Sequence, residues 1–110
     1  VLPMLVEKNI GVLGMKPMGS GVILQSKAVT PVECLTYALN LPTSVVITGC
    51  DSMDVLQQAL RTARNFHPLK RDERAALLAK TATVARNGQF ELYKTSHTFD
   101  GTYHNPQWLG

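Results

Sequence analysis

The stretch Ile10–Ser20, IGVLGMKPMGS, decides the fold that this sequence predicts. Its first half is a short apolar run, which favours a buried parallel strand over Ile10–Lys16. Its second half is typical of a loop, because Pro17 ends strand pairing and Gly19 tolerates a left-handed backbone. We therefore expect a strand that runs directly into a loop where the backbone can closely approach another group.

A second strand is expected 34 positions after the start of the first. Ser44–Thr48 is largely β-branched and ends at Gly49, a pattern typical of a strand buried on both faces. Between the strands, Thr30 and Glu33 bracket a proline and form the signature of a capping box, which predicts a helix to about Leu41. The order strand, helix, strand predicts a parallel pair of strands.

Two more helices and a tail complete the predicted organisation. Asp51 or Ser52 is expected to cap a helix that ends near Asn65, and a third helix is expected over about Lys70–Arg86. Gln89–Gly110 has no helical or strand period. We therefore divide the chain into a strand–helix unit over residues 1–88 and an irregular tail over 89–110 with aromatic anchors Phe90, Tyr93, Phe99, Tyr103 and Trp108.

Length and charge limit the classes of protein. A chain of 110 residues makes one domain at most, and its 45% apolar content permits a core. The net charge of +3 is mildly basic, and the eleven lysines and arginines are scattered along the chain. Because they are neither clustered nor interleaved with aromatic residues on one element, we predict no nucleic-acid partner.

The cysteines and the apolar runs indicate the compartment. Cys34 lies on the apolar side of a predicted helix, and Cys50 lies in a loop at a helix start. Two such cysteines make no disulfide framework, so we expect a reducing cytoplasm. No apolar run has the length of a membrane span, and no signal peptide is visible, so no membrane partner is predicted.

Two parallel strands cannot cover their own faces and edges. We therefore expect completion by self-association, most simply as a homodimer, or by another chain, or by the rest of a larger barrel. The sequence begins at Val1 rather than at a methionine, and we expect it to be a fragment or a processed product.

Several stretches resemble the aldo-keto reductases. Gly11–Gly19 resembles the segment around the family's seventh strand, of the type M-K-P-[LM]-G, and Leu35–Leu39 resembles the L-R-Y-A-L run that follows. Ser44–Leu60 resembles the eighth strand and its helix, and Phe66–Glu73 resembles the start of the last helix. The resemblance implies the carboxyl-terminal part of a (β/α)₈ TIM barrel in an NAD(P)-dependent oxidoreductase.

The resemblance also implies a cofactor site and no catalytic residue. The family holds its dinucleotide with the loops after strands seven and eight. The matching positions here are Lys16, Pro17, Met18 and Gly19, then Gly49, Cys50, Asp51 and Ser52, and Gln58 in the following helix. The family's catalytic Tyr, Asp, Lys and His come from earlier strands that this chain does not contain, so we expect no activity of the chain alone. The three histidines lack metal-ligand spacing, so no metal site is predicted.

One departure from the family bears on the choice of cofactor. Asp51 stands where many relatives carry a basic residue, and a carboxylate there would repel a 2′-phosphate. We therefore expect weak binding of NAD(P), without preference for NADP, or none. The alternative function is a stand-alone, self-assembling structural or binding module derived from a barrel segment.

Overall fold

The computed structural model describes residues 1–98 and 100–109, and it combines helices with one pair of parallel strands. Strand β1 is Leu13–Met15 and strand β2 is Val45–Ile47. Leu13 lies opposite Val45 and Met15 lies opposite Ile47 in a parallel register. The predicted parallel pairing is therefore confirmed. The tail positions Phe99 and Gly110 lie outside the described residues.

Both strands are shorter than the sequence predicts. At the entry to the pair, the Val12 amide donates to Ser44 Oγ at 3.0 Å, while the Ser44 amide donates to the Val12 carbonyl at 2.8 Å. At the other end, Lys16 turns into the left-handed region with φ of 55°. The predicted strand Ile10–Lys16 is therefore longer than the paired strand Leu13–Met15, because a side-chain hydrogen bond begins the pairing at Val12 and the backbone turns at Lys16.

The structure also contains four longer helices, and the start of α2 is explained by its cap. They are α1 (Leu2–Glu7), α2 (Pro31–Leu39), α3 (Met53–Arg64) and α4 (Arg71–Ala85). The predicted capping box of α2 is confirmed. Thr30 Oγ1 accepts from the Glu33 amide at 3.2 Å, and Glu33 Oε2 accepts from the Thr30 amide at 2.8 Å.

Two segments that lack a hydrophobic period contain short helices. In the loop before α2, the segment Gly19–Ser26 contains 3₁₀ turns that are interrupted by left-handed backbones at Ser20 and Gly21. In the tail, α5 (Leu92–Thr95) and α6 (Gly101–His104) are single turns, followed by a 3₁₀ turn over Pro106–Leu109. Local caps hold such turns: Asp100 Oδ1 accepts from the amides of Thr102 and Tyr103. The tail is therefore less irregular than the sequence predicts.

The core lies on the helical side of the molecule. Helix α2 packs against α3, and the buried side chains are Val29, Cys34, Leu35 and Thr62. The prediction that Ser44–Thr48 is buried on both faces is wrong, since Val45 and Ile47 are 50% and 43% exposed. Val46, which points to the opposite face of the strand, is half-buried. One face of the sheet is covered in part and the other is open.

Helix α4 is attached to α2 at two points. The Leu69 amide, just before α4, donates to Asn40 Oδ1 at 2.9 Å. In the middle of the helix, Lys80 Nζ lies 2.6 Å from Glu33 Oε1. The helix stops before Gly88, whose φ of 69° and tight contact with Thr95 leave no room for a side chain. No residue of α4 is buried.

Candidate functional site

The largest concave feature near the strands is an open groove at their carboxyl ends, which we call the strand-end groove. Its volume of about 600 Å³ lies within the range of small-molecule sites. In parallel sheets, ligands bind at the carboxyl ends of the strands. The lining residues are Met15, Lys16, Pro17, Met18, Ser20, Gly21, Leu24, Pro31, Ile47, Thr48, Gly49, Cys50, Asp51, Val55 and Gln58.

The first wall of the groove is a twice-turned loop after β1. The Gly19 amide donates to the Lys16 carbonyl at 2.9 Å, and the Gly21 amide donates to the Met18 carbonyl at 2.9 Å. Lys16 and Ser20 both adopt left-handed backbones, with φ of 55° and 57°. For residues other than glycine, such a conformation costs about 1–3 kcal/mol and concentrates at ligand sites. Two left-handed residues other than glycine therefore lie in this wall, while Asn9 and Lys27 have the same conformation outside the groove.

The second wall runs from the end of β2 to the start of α3. Ser52 Oγ accepts from the Val55 amide at 3.3 Å, so Ser52 is the N-cap of α3. Asp51 precedes the cap and is exposed on the groove. A side chain at Gly49 would meet nothing within 4 Å, so the backbone there borders open space. A ligand can therefore approach the peptide groups of this wall closely.

Charge is divided between the two walls. Lys16 belongs to the first wall and Asp51 to the second. Gln58 of α3 is half-buried and adds an amide that can both donate and accept. Apolar side chains of Met15, Met18 and other residues line the space between them. The groove therefore suits an elongated ligand with an anionic group near one wall and hydroxyl groups near the other.

The structure brings most of the predicted cofactor residues together. Seven of the nine line the groove: Lys16, Pro17, Met18, Gly49, Cys50, Asp51 and Gln58. The other two, Gly19 and Ser52, do not line it, and Ser52 caps α3 instead. Sequence reasoning missed the last residue of each strand, Met15 and Ile47, although strand ends are where parallel sheets place ligands. It also missed Ser20, Gly21, Leu24, Pro31, Thr48 and Val55.

A second, smaller cavity lies between α2 and α4. Its volume is about 210 Å³, and apolar side chains such as Ile23, Leu77 and Val84 form most of its wall. Burial raises the pKa of the Cys34 thiol, which faces this cavity, and the nearby Glu33 carboxylate adds to the rise. The hydrogen bond from Lys80 lowers the pKa of Glu33. The cavity joins residues far apart in sequence, and no local pattern predicts it.

Within residues 1–98 and 100–109, no three His, Cys, Asp or Glu side chains are grouped so that they could hold a metal ion. In the same residues, no helix combines the length and the apolar character that a bilayer crossing requires.

No protein-family model matches the chain, and neither a curated protein nor a solved structure matches it. The resemblance to aldo-keto reductases therefore rests on the residues quoted above.

Proposed function

We propose that this chain is the carboxyl-terminal, cofactor-binding portion of an aldo-keto reductase-like, NAD(P)-dependent oxidoreductase barrel. The observation that carries the proposal is the strand-end groove. Seven of the nine residues that the resemblance assigns to the cofactor line this one groove, at the carboxyl ends of two parallel strands. The groove supplies one place for a ligand, and the resemblance supplies the ligand class.

The chemistry of the walls suits a dinucleotide. Lys16 supplies a cation for the diphosphate. Met15 and Met18 offer apolar, polarisable surface to a nicotinamide ring. On the second wall, Gly49 leaves room beside the backbone for an adenosine. In this proposal the first wall therefore contacts the nicotinamide and the diphosphate, and the second wall contacts the adenosine.

Asp51 favours NAD over NADP within this proposal. A carboxylate at a dinucleotide site hydrogen-bonds the ribose hydroxyls of NAD, whereas a 2′-phosphate needs an arginine. Asp51 is exposed on the second wall, where the adenosine would lie. The added 2′-phosphate would therefore meet a negative charge.

The chain by itself binds weakly and transfers no hydride in this proposal. The open groove supplies walls from two strands only, and the family's catalytic segments are absent from the sequence. A carbonyl reduced without a positioned proton donor loses roughly 10²–10⁴-fold in rate. The two cysteines are free thiols, which fits a reducing compartment such as the cytoplasm.

Calorimetric titration with NAD and NADP tests the proposal. We expect NAD to bind with a dissociation constant of about 1 mM and NADP to bind more weakly. Lys16→Ala should weaken NAD binding about 10-fold, by loss of a charge-assisted contact to phosphate. Lys27→Ala is the matched control, since Lys27 has the same φ of 55° and lies outside the groove.

Two results would reject the proposal. One is the absence of heat for NAD and NADP at millimolar concentrations. The other is equal weakening by Lys16→Ala and Lys27→Ala, which would show a general charge effect rather than a site.

A further inference from the structure

The cavity between α2 and α4, which we call the interhelical cavity, is lined by four separate parts of the chain. Pro17 and Ile23 come from the loop after β1, Cys34 comes from α2, Val84 comes from α4, and Phe90 adds a wall from the tail. Of the residues that the structure describes, only Pro17 lines both this cavity and the strand-end groove. The cavity is therefore a second place for a ligand, independent of the proposed dinucleotide site.

The size and the lining of the interhelical cavity favour a small apolar molecule. Most of its wall is apolar, since Ile23, Leu77, Val84 and Phe90 have hydrocarbon side chains. An engineered protein cavity of about 150 Å³ with such a lining stays dry and binds benzene. The volume of about 210 Å³ therefore suits a benzene ring with one or two small substituents.

Two aromatic side chains favour a ring as the occupant. Tyr37 of α2 and Phe90 of the tail both line the cavity, and both are half-buried. Aromatic pairs in offset or edge-to-face arrangements stabilise a complex beyond the burial of area alone. An aromatic ligand therefore gains more here than an aliphatic molecule of the same size.

The Tyr37 hydroxyl gives the cavity one group for recognising a polar substituent. Within the described part of the chain, no residue forms a hydrogen bond with this hydroxyl. A phenolic hydroxyl can both donate and accept. A ligand that carries a single hydroxyl group therefore matches both the apolar wall and this one polar group.

The charged side chains of the lining disfavour an anionic ligand. They are Glu33 and Glu91. The hydrogen bond from Lys80 lowers the pKa of Glu33, and the hydrogen bond from Lys94 lowers the pKa of Glu91, so both carboxylates are ionised at neutral pH. Because each carboxylate already has a lysine partner, a cationic ligand gains little from them. The chemistry of the lining therefore selects a neutral molecule.

We propose that the interhelical cavity binds a neutral, single-ring phenol, with its ring among the apolar side chains and its hydroxyl hydrogen-bonded to Tyr37. The probe of this class is p-cresol, a ring with one methyl and one hydroxyl group. Two molecules of similar shape separate the contributions. Toluene lacks the hydroxyl, and 4-methylbenzoate carries a carboxylate in its place.

Methyl NMR of the full chain, titrated with p-cresol, is the primary test. The Ile23 and Val84 signals should shift saturably with a dissociation constant of roughly 0.1–1 mM, while the Ile47 signal from the strand-end groove stays constant. Binding of 4-methylbenzoate should be at least about 10-fold weaker, because its charge is buried beside two carboxylates. If Ile23 and Val84 show no saturable shift up to about 10 mM p-cresol, the proposal is overturned, whatever NAD does at the groove. Equal affinity for 4-methylbenzoate and p-cresol also overturns it.

Two variants locate the ligand. Tyr37→Phe should weaken p-cresol binding about 5-fold and leave toluene binding unchanged, because it removes one hydrogen bond. Val84→Phe should abolish binding of both by filling the cavity, whereas Ala82→Phe, on the same helix but outside the lining, is the matched control. Undiminished p-cresol binding to Tyr37→Phe overturns the proposal, and so does undiminished binding to a Val84→Phe variant with native circular dichroism. If Val84→Phe unfolds, the comparison of p-cresol with toluene on Tyr37→Phe decides the outcome.

Discussion

Helices α2 and α4 lie side by side, yet the shorter of the two is much better buried. Helix α2 has nine residues and buries Cys34 and Leu35, whereas α4 has fifteen residues and buries none. Leu35 of α2 is 4% exposed and Leu78 of α4 is 47% exposed. The length of a helix therefore does not determine its contribution to the core.

The distribution of apolar side chains explains the difference. In α2, the larger apolar residues share one side, which packs against α3. In α4, small alanines surround the helix, and the residues that line the cavity beside α2 are Leu77, Leu78, Thr81, Val84 and Ala85. Alanine favours a helix but offers little surface to bury. The alanines of α4 therefore favour its helical conformation, but the helix packs only weakly against the rest of the molecule.

The largest expected contrast comes from truncating one leucine in each helix. Leu35→Ala should lower the free energy of unfolding by about 3 kcal/mol, because it leaves a cavity in the core. Leu78→Ala, at 47% exposure, should lower it by less than about 1 kcal/mol. Urea unfolding followed by circular dichroism measures both. Equal losses would show that α4 packs as tightly as α2.

The two cysteines test whether the core beside α2 excludes reagents. Cys34 is buried and burial raises its pKa, while Cys50 is exposed at the strand-end groove. A thiol reagent at pH 8 should therefore modify Cys50 first and Cys34 about 100-fold more slowly. Absorbance of the released chromophore counts the thiols, and Cys50→Ser should remove the fast phase. Two fast thiols would mean that the core opens readily.

Removing a cap from each helix should have a smaller effect. Thr30→Ala eliminates the side-chain acceptor of the α2 capping box and should cost about 1 kcal/mol. Glu73→Ala removes the acceptor for the Lys70 amide at the start of α4. Because this end of the helix is exposed to solvent, the variant should lose less free energy of unfolding, about 0.5 kcal/mol. Thermal unfolding of both variants measures the difference. A larger loss for Glu73→Ala would reverse our ranking of the helices.

The ion pair between the helices should have the smallest effect. Lys80→Ala removes a pair whose side chains are 46% and 33% exposed, and such pairs contribute about 0.5 kcal/mol. The hydrogen bond from Lys80 lowers the pKa of Glu33 in the folded chain. The stabilisation is therefore present above about pH 5 and is lost as pH falls through the folded pKa. Stability curves from pH 7 to pH 3 should differ between wild type and variant above pH 5, and converge in acid.

Local signals account for what the sequence predicts correctly. The capping box of α2 spans four consecutive residues. The side chains of Thr30 and Glu33 are therefore always near the backbone amides from which they accept hydrogen bonds. The parallel pairing follows from two apolar runs, the second of them largely β-branched, separated by a helix. Most of the predicted groove residues lie together for the same reason, since parallel strands end at the same edge.

Other features depend on contacts that no local pattern contains. Both Asp51 and Ser52 are good caps, and only the structure shows that Ser52 accepts from Val55. Exposure of Val45 and Ile47 depends on what covers the sheet, which hydrophobic pattern alone does not specify. Each single turn of the tail has four residues, about one helical period, so no repeat of the period is visible in it.

The long separation of β1 and β2 along the chain determines when the sheet can form. Val12 and Ser44, which open the pair, are 32 positions apart, and closing such a loop costs about 3 kcal/mol of chain entropy. Synthesis on the ribosome proceeds at about 5–20 residues per second, so β2 is synthesised roughly 2–6 seconds after β1. During that interval the apolar residues and unpaired amides of β1 are exposed to neighbouring nascent chains and to chaperones.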